Sequence, residues 1–334
     1  MRKVIRINCI VIALIFAALA ALGVFVCMLF EEKLSTSALS HGQGTKEDPY
    51  KIYTATELVN LQELVASDHC KDYTEGKYFR LEKDLSIASN TTNETINGFY
   101  GILDGNGHSI KIRGKGLFYR VANGGRIENT VFKINLNTLK FTTTFGVAYT
   151  IDKGAVVTDC TVKGNFDLLV PEQTKNLNLS IRCAGVSISN YGLIENCTFD
   201  YDVTTSGYSK CSAVMYFAGI TIGSGGEIKC CTINAQMEII MNTTGLYFYG
   251  ISRNDIATDC TFNGDIILRK NPNSNVLGIA TRLYMLGQSV ENCTFNGDVT
   301  FDFRGSSKGR YNEIQFASDD STYVHNGKII EIFD

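Results

Sequence analysis

One phrase recurs along the second half of this 334-residue chain and limits what it can fold into: VTDCTVKGNF, IENCTFDYDV, IKCCTINAQM, ATDCTFNGDI and VENCTFNGDV. An apolar residue, an Asx in most copies, then Cys, Thr and a bulky apolar residue return every 29 to 37 positions. Self-similarity at that period marks a stacked solenoid, in which no repeat buries its apolar face alone. The phrase is not one straight strand, because its apolar residue and Cys stand three apart while one face of a strand takes every second residue. Asx between them resolves the conflict. Asn and Asp enter the left-handed conformation more readily than other non-glycine residues, so a sharp bend lets both neighbours point inward.

Six passes of the chain then align. The bend row reads Asn129, Asp159, Asn196, Cys230, Asp259, Asn292, and the next, inward row reads Thr130, Cys160, Cys197, Cys231, Cys260, Cys293. Two positions on stand Phe132, Val162, Phe199, Ile233, Phe262 and Phe295, the bulky interior that a narrow parallel coil needs. A Gly-aliphatic pair precedes each bend: Gly116-Leu117, Gly146-Val147, Gly185-Val186, Gly219-Ile220, Gly250-Ile251 and Gly278-Ile279. Each pass therefore carries at least two short strands and a variable loop, such as 168–180, 204–212 and 269–275. The expected fold is all-β, a parallel β-helix over 45–334, with recognition built on its loops. Three Pro, 31 Gly and no Trp agree with a turn-rich β chain.

Residues 9–30 carry no charge and are long enough to span a bilayer. Arg2, Lys3 and Arg6 precede them and Glu31 and Glu32 follow, which places residues 1–8 in the cytoplasm and the solenoid outside. A cleaved signal peptide is the rival reading, with Thr36-Ser37-Ala38 as the small-residue site. The expected localisation is a single-pass plasma membrane protein with an extracellular C-terminal domain, or a secreted one if cleaved. Residues 31–44 read as a linker. With the three basic residues before the span set aside, 28 remain against 34 acidic ones, a net charge near −6 without a basic cluster. Nucleic acid is excluded as a partner on that ground.

Past the linker, Pro49-Tyr50-Lys51-Ile52-Tyr53 reads as a strand. Thr54 and Glu57 form a capping box opening a helix whose Leu58, Leu61, Leu64 and Val65 share a face. The first coil of a solenoid has an open apolar end, and this helix, within a cap of about 45–70, is expected to cover it.

The phrases GTKEDPYKI, TATELVNLQELV, GKYFRLEKDLSI, FYGILDGNGHSIKI and GLFYRVANGGRIENTVF resemble, in that order, the opening module of bacterial cell-surface proteins with GLUG-type repeats. The resemblance covers 42–136 closely and later passes loosely. Gly116-Leu117-Phe118 matches the name-giving motif, while Tyr119 stands where a second Gly is usual. What the resemblance implies is a right-handed β-helix, surface exposure and a binding or adhesive role, with no catalytic residue to carry over. Some relatives add a peptidase domain, but no HExxH occurs here.

The candidate chemistry is sparse. Nine Cys lie outside residues 9–30, and the repeat row reads as buried reduced thiols acting as small hydrophobes, since in-register strands hold Cβ atoms too far apart for a disulfide. Replacing Cys260 by Ser is expected to bury an unpartnered hydroxyl. One ligand per coil on a single line cannot close a tetrahedral metal site, so neither metal nor cofactor is expected. His41, His69, His108 and His325 are scattered. Five positions beyond the Cys row stand Asn135, Asn165, Asp202, Gln236, Asp265 and Asp298. Asp265 and Asp298 would be neighbours about 5 Å apart, close to the carboxylate separation of a retaining glycosidase. Phe217 and Phe248 are the aromatic candidates for a stacking platform if they face outward, and core if they face inward.

No catalytic residue is assigned, and Phe217, Phe248, Asp265 and Asp298 are the candidate ligand-binding residues. The expected function is a non-enzymatic binding or adhesion module at a bacterial cell surface, for a surface glycan or a host or bacterial protein. The rivals are a polysaccharide lyase or glycoside hydrolase on the same fold, and a self-assembling structural element.

Overall fold

A computed structural model describes residue 39 and residues 41–90, 97–137, 143–169, 179–206, 213–241, 245–270, 280–302, 304 and 313–332. The expected membrane span or signal at 9–30 lies outside the described residues. Among those described, no helix is long and apolar enough to cross a membrane.

The described chain is mostly β, and its strands pair in parallel across successive passes. Four sheets of nine, three, twelve and six strands result. One pass shows the pattern. Val156–Thr158 joins the nine-stranded sheet, and Thr161–Leu169 follows the bend into the twelve-stranded one. Leu179–Ala184 then enters the six-stranded sheet, and Ser187–Asn190 the three-stranded one. The next pass repeats the order one strand along, with Val157 opposite Ile194 and Val162 opposite Phe199.

The bend is made as the residue types require. Asn129, Asp159, Asn196, Cys230, Asp259 and Asn292 all have φ between 51° and 55°. Asn106 makes a similar turn one pass earlier, at φ 51°. The neighbours on both sides point inward: Ile127, Val157, Ile194, Ile228, Ala257 and Val290 before the bend, and the Thr130 and Cys row after it, are buried. The Phe132 to Phe295 row is buried throughout, and Phe262 and Phe295 stack at 4.9 Å. Each such side chain contributes roughly 1.5–3 kcal/mol by leaving water.

The Cys row is free and buried. Its thiols are not mere hydrophobes, because each lies within hydrogen-bond reach of the carbonyl two residues back. Cys160 Sγ is 3.1 Å from Thr158 O, Cys197 3.2 Å from Glu195 O, and Cys260 3.3 Å from Thr258 O. Thr130 Oγ1 makes the same contact to Glu128 O at 2.8 Å. The position therefore selects a small side chain with a donor, and the expectation that serine at 260 would be unpartnered is corrected.

The glycine row is set by close approach. A Cβ on Gly146, Gly185, Gly219 or Gly250 would lie 1.8–2.1 Å from a carbonyl oxygen of the next pass. The last expected pair, Gly278-Ile279, falls outside the described residues, and its place in the row is taken by Met285-Leu286, since Tyr249 pairs with Tyr284. Met is tolerated there because the following pass runs directly from Gln315 to Phe316, which accept from Met285 and Leu286, so no intervening residue presents a carbonyl.

At one end the helix Ala55–Ala66 (α1) starts with the full capping box of Thr54 and Glu57. Its Leu58, Leu61, Leu64 and Val65 join the main apolar core. A short second helix, Cys70–Thr74 (α2), follows. Gln62 Nε2 donates to Leu117 O at 2.5 Å and Asn97 Nδ2 to Ala66 O at 2.9 Å, tying α1 to the first passes.

Candidate functional site

Asp265 and Asp298 sit in one column but are occupied by the backbone. The Asp298 N–H donates to Asp265 Oδ1 at 2.8 Å, and the Lys328 N–H to Asp298 Oδ1 at 2.8 Å. Asp265 N–H in turn donates to Gln236 Oε1 at 3.3 Å. Asp265 and Asp298 each follow a glycine pressed on the preceding pass: a Cβ on Gly264 would lie 2.0 Å from Ala235 O, and one on Gly297 2.0 Å from Gly264 O. The side chains thus supply acceptors where the ladder is interrupted, a structural duty for both expected ligand residues.

The adjacent outer column holds an amide ladder that the sequence reading passed over. Asn234 donates to Asp200, Asn263 to Asn234, Asn296 to Asn263 and Asn326 to Asn296, at 2.7–2.9 Å. At the bend corner a shallow depression of about 330 Å³ is lined by Asp104, Asn106, Asn129, Asp159 and Thr161. Its carboxylates accept from Asn129 Nδ2 and Thr158 Oγ1. Among the described residues no group of three or more His, Cys, Asp or Glu could hold a metal.

Phe217 and Phe248 are fully buried and stack on each other at 5.5 Å inside the core. Of the two readings the sequence offered they take the core one, which removes both from the candidate ligand-binding residues. The reason is register: Phe217 continues the inward column of Thr144 and Cys183, so the neighbouring residue in each strand faces out. That outer column reads Thr143, Arg182, Tyr216, Tyr247, and the backbone of Arg282 continues its register.

Tyr216 and Tyr247 are half-buried and stack at 4.6 Å with 8° between planes, and Arg182 is exposed. Parallel rings stacked along the column cover each other's faces, so they offer ring edges and phenol hydroxyls outward. The Arg253 guanidinium lies 5.6 Å from the Tyr216 ring centroid, a cation–π contact. Beneath this strip, a second apolar cluster separate from the core packs Phe145, Ala184, Ile188, Ala218, Ile222, Tyr249 and Tyr284. Tyr149, Tyr216 and Tyr247 pack against it as a partly exposed rim, and Tyr149 stacks on Tyr119 at 4.9 Å.

A buried carboxylate organises the loop beside Arg253. Asp255 Oδ1 accepts from the backbone N–H groups of Ser224, Gly225 and Gly226, and Oδ2 from Ser252 Oγ. Burial nevertheless pushes its carboxyl above its ordinary value. Burial also raises Cys183, to about 12, so that thiol stays protonated.

His108 pairs with Asp84, and His69 with Asp72. The Tyr–Arg strip was reachable from the sequence. Aligning SIRCAG, VMYFAG and LYFYG on their glycines puts Arg182, Tyr216 and Tyr247 in one row. The misplaced pair at 278–279 hid Arg282 from that row.

No protein-family model matches the chain. An alignment of 106 residues, 27% identical, relates 27% of this chain to a protein of Evansella cellulosilytica described as "Putative Gly-rich membrane protein". The match spans only 11% of that relative's length. The crystal structure of a "putative immunoglobulin A1 protease" from Bacteroides ovatus matches over 87% of both chains, with 14% identity and a TM-score of 0.36.

Proposed function

We propose that this chain is a non-enzymatic binding module displayed at a bacterial cell surface, and that it engages its partner through the Tyr216–Tyr247 strip. The carrying observation is that strip: two stacked tyrosines on an outer face, beside Arg182 and Arg253. In this reading the passes close into one right-handed parallel β-helix of the GLUG-repeat kind with α1 as its cap. The right hand follows from the near-universal hand of crossovers between parallel strands. Residues 9–30 hold the module to the membrane or direct its export. The apolar, uncharged run and the partial similarity to a membrane protein support that placement.

A hydrolase or lyase centred on Asp265 and Asp298 has lost its main support, since both carboxylates accept backbone N–H groups. The test is binding of the labelled full chain, in detergent, to a panel of bacterial and host polysaccharides and to intact cells. Each ligand is followed for chain length by mass spectrometry. Binding that disappears in a Tyr216→Ala, Tyr247→Ala double variant with an unchanged melting curve supports the reading. Binding untouched by that change, or shortened polysaccharide chains, refutes it.

A further inference from the structure

We infer that the ligand of this strip is an anionic polysaccharide, a chain of uronate-bearing sugars lying along the stacking direction; the inference rests on the binding role proposed above. The chain as a whole carries a net charge of −3, yet the strip gathers Arg182 and Arg253 around two tyrosines. Among the described residues no carboxylate lies within ion-pair distance of Arg182 or Arg253. Of the other described arginines, Arg80, Arg120, Arg126 and Arg304 are each paired with one, while the exposed Arg113 is not. A guanidinium without a protein carboxylate is open to a ligand carboxylate, which it binds through two parallel N–H donors. The Tyr216 ring positions Arg253 without using that fork.

The phenol hydroxyls of Tyr216 and Tyr247 each donate and accept, which matches sugar hydroxyls. From Arg182 to Tyr247 is two strand steps, on the order of 10 Å, the reach of a short oligosaccharide. A sugar in an extended chain advances by about the distance from one strand to the next, so successive sugars meet successive residues of the column. A peptide is the weaker fit. Extended peptides add to a sheet through an open backbone edge, whereas the strands of Tyr216 and Tyr247 are paired on both sides.

The experiment immobilises polygalacturonate, the same polymer reduced at its carboxyls, and poly-L-glutamate, and measures binding of the full chain in detergent. The expected result is binding to polygalacturonate that weakens with added salt. Arg182→Gln and Arg253→Gln should each weaken it about tenfold, the scale of one lost charge-assisted contact. Melting curves of both variants should match the parent. Equal binding to the carboxyl-reduced polymer overturns the anionic assignment while leaving the strip as a binding site. Equal binding to poly-L-glutamate overturns the glycan assignment. Absence of binding to polygalacturonate overturns the inference, and the cell-binding assay then decides the broader reading on its own.

Discussion

The glycine row makes the sharpest test of how the passes are stacked. A Cβ on Gly219 would lie 1.9 Å from Gly250 O, against 3.4 Å at the lower end of ordinary contact, a shortfall of 1.5 Å. It would also lie 2.8 Å from Tyr201 Oη, which donates to Gly219 O at 2.7 Å. Opening the passes by that amount breaks the bonds from Gly219 N to Tyr249 O and from Ile220 N to Ile251 O, now 3.0 and 2.9 Å. Losing two or three buried bonds at about 1–1.5 kcal/mol each, with overpacking of about 1–3, puts Gly219→Ala at about 3–7 kcal/mol. Gly76 is the control, because it has φ 66° with nothing within 4 Å of a Cβ. Gly76→Ala should cost only left-handed strain, about 1–2 kcal/mol. Denaturant unfolding of both variants, with slopes compared to the parent, measures the difference. A Gly219→Ala variant within 1 kcal/mol of the Gly76→Ala one would show that backbone proximity does not hold this row.

The other expectations concern rows, burial and one acid. Cys230 sits in the left-handed bend at φ 53°, where its neighbours in the row are Asn or Asp. Cys230→Asn should therefore stabilise by up to about 1 kcal/mol, and a lower melting temperature would count against the bend assignment. Cys260→Ser should cost less than Cys260→Ala, because serine keeps a donor facing Thr258 O; the reverse order would refute the donor argument. Phe217→Ala should cost about 3–5 kcal/mol, and Tyr216→Ala far less, so equal losses would contradict the register. Burial holds the Asp255 carboxyl above its ordinary 3.8. A raised acid gives stability that is complete below the unfolded value and is lost as pH rises through the folded one. The melting temperature of the parent should accordingly fall relative to Asp255→Asn as pH rises from 3.8, and parallel pH profiles would rule that out.

The bend and the two inward rows were readable because they depend on single residues with narrow conformational or steric roles. Asn196 and Asp259 declare a left-handed turn, and Phe199 and Phe262 declare an interior. The capping box was readable for the same reason, since Thr54 and Glu57 meet within one helical turn. The outer face was harder. Whether Tyr216 or Phe217 faces out depends on the path through Gly219, and a glycine at a corner gives no side chain to count from. Arg253 could not be found by alternation, because it reaches Tyr216 from a different sheet. The Asp265–Asp298 column was placed correctly, but its duty was hidden. It follows from glycines that press one pass onto another, a contact made across 33 residues of sequence.

The outer columns also constrain how such a surface can change. Each position in the Arg182–Tyr216–Tyr247 row is fixed by strand register, and the spacing between positions is a property of the backbone. A substitution can rewrite one character of that row and cannot move it. New preferences must arrive in whole steps, a residue exchanged at one site or an entire pass gained or lost, so a surface of this kind evolves as an alphabet rather than as a shape.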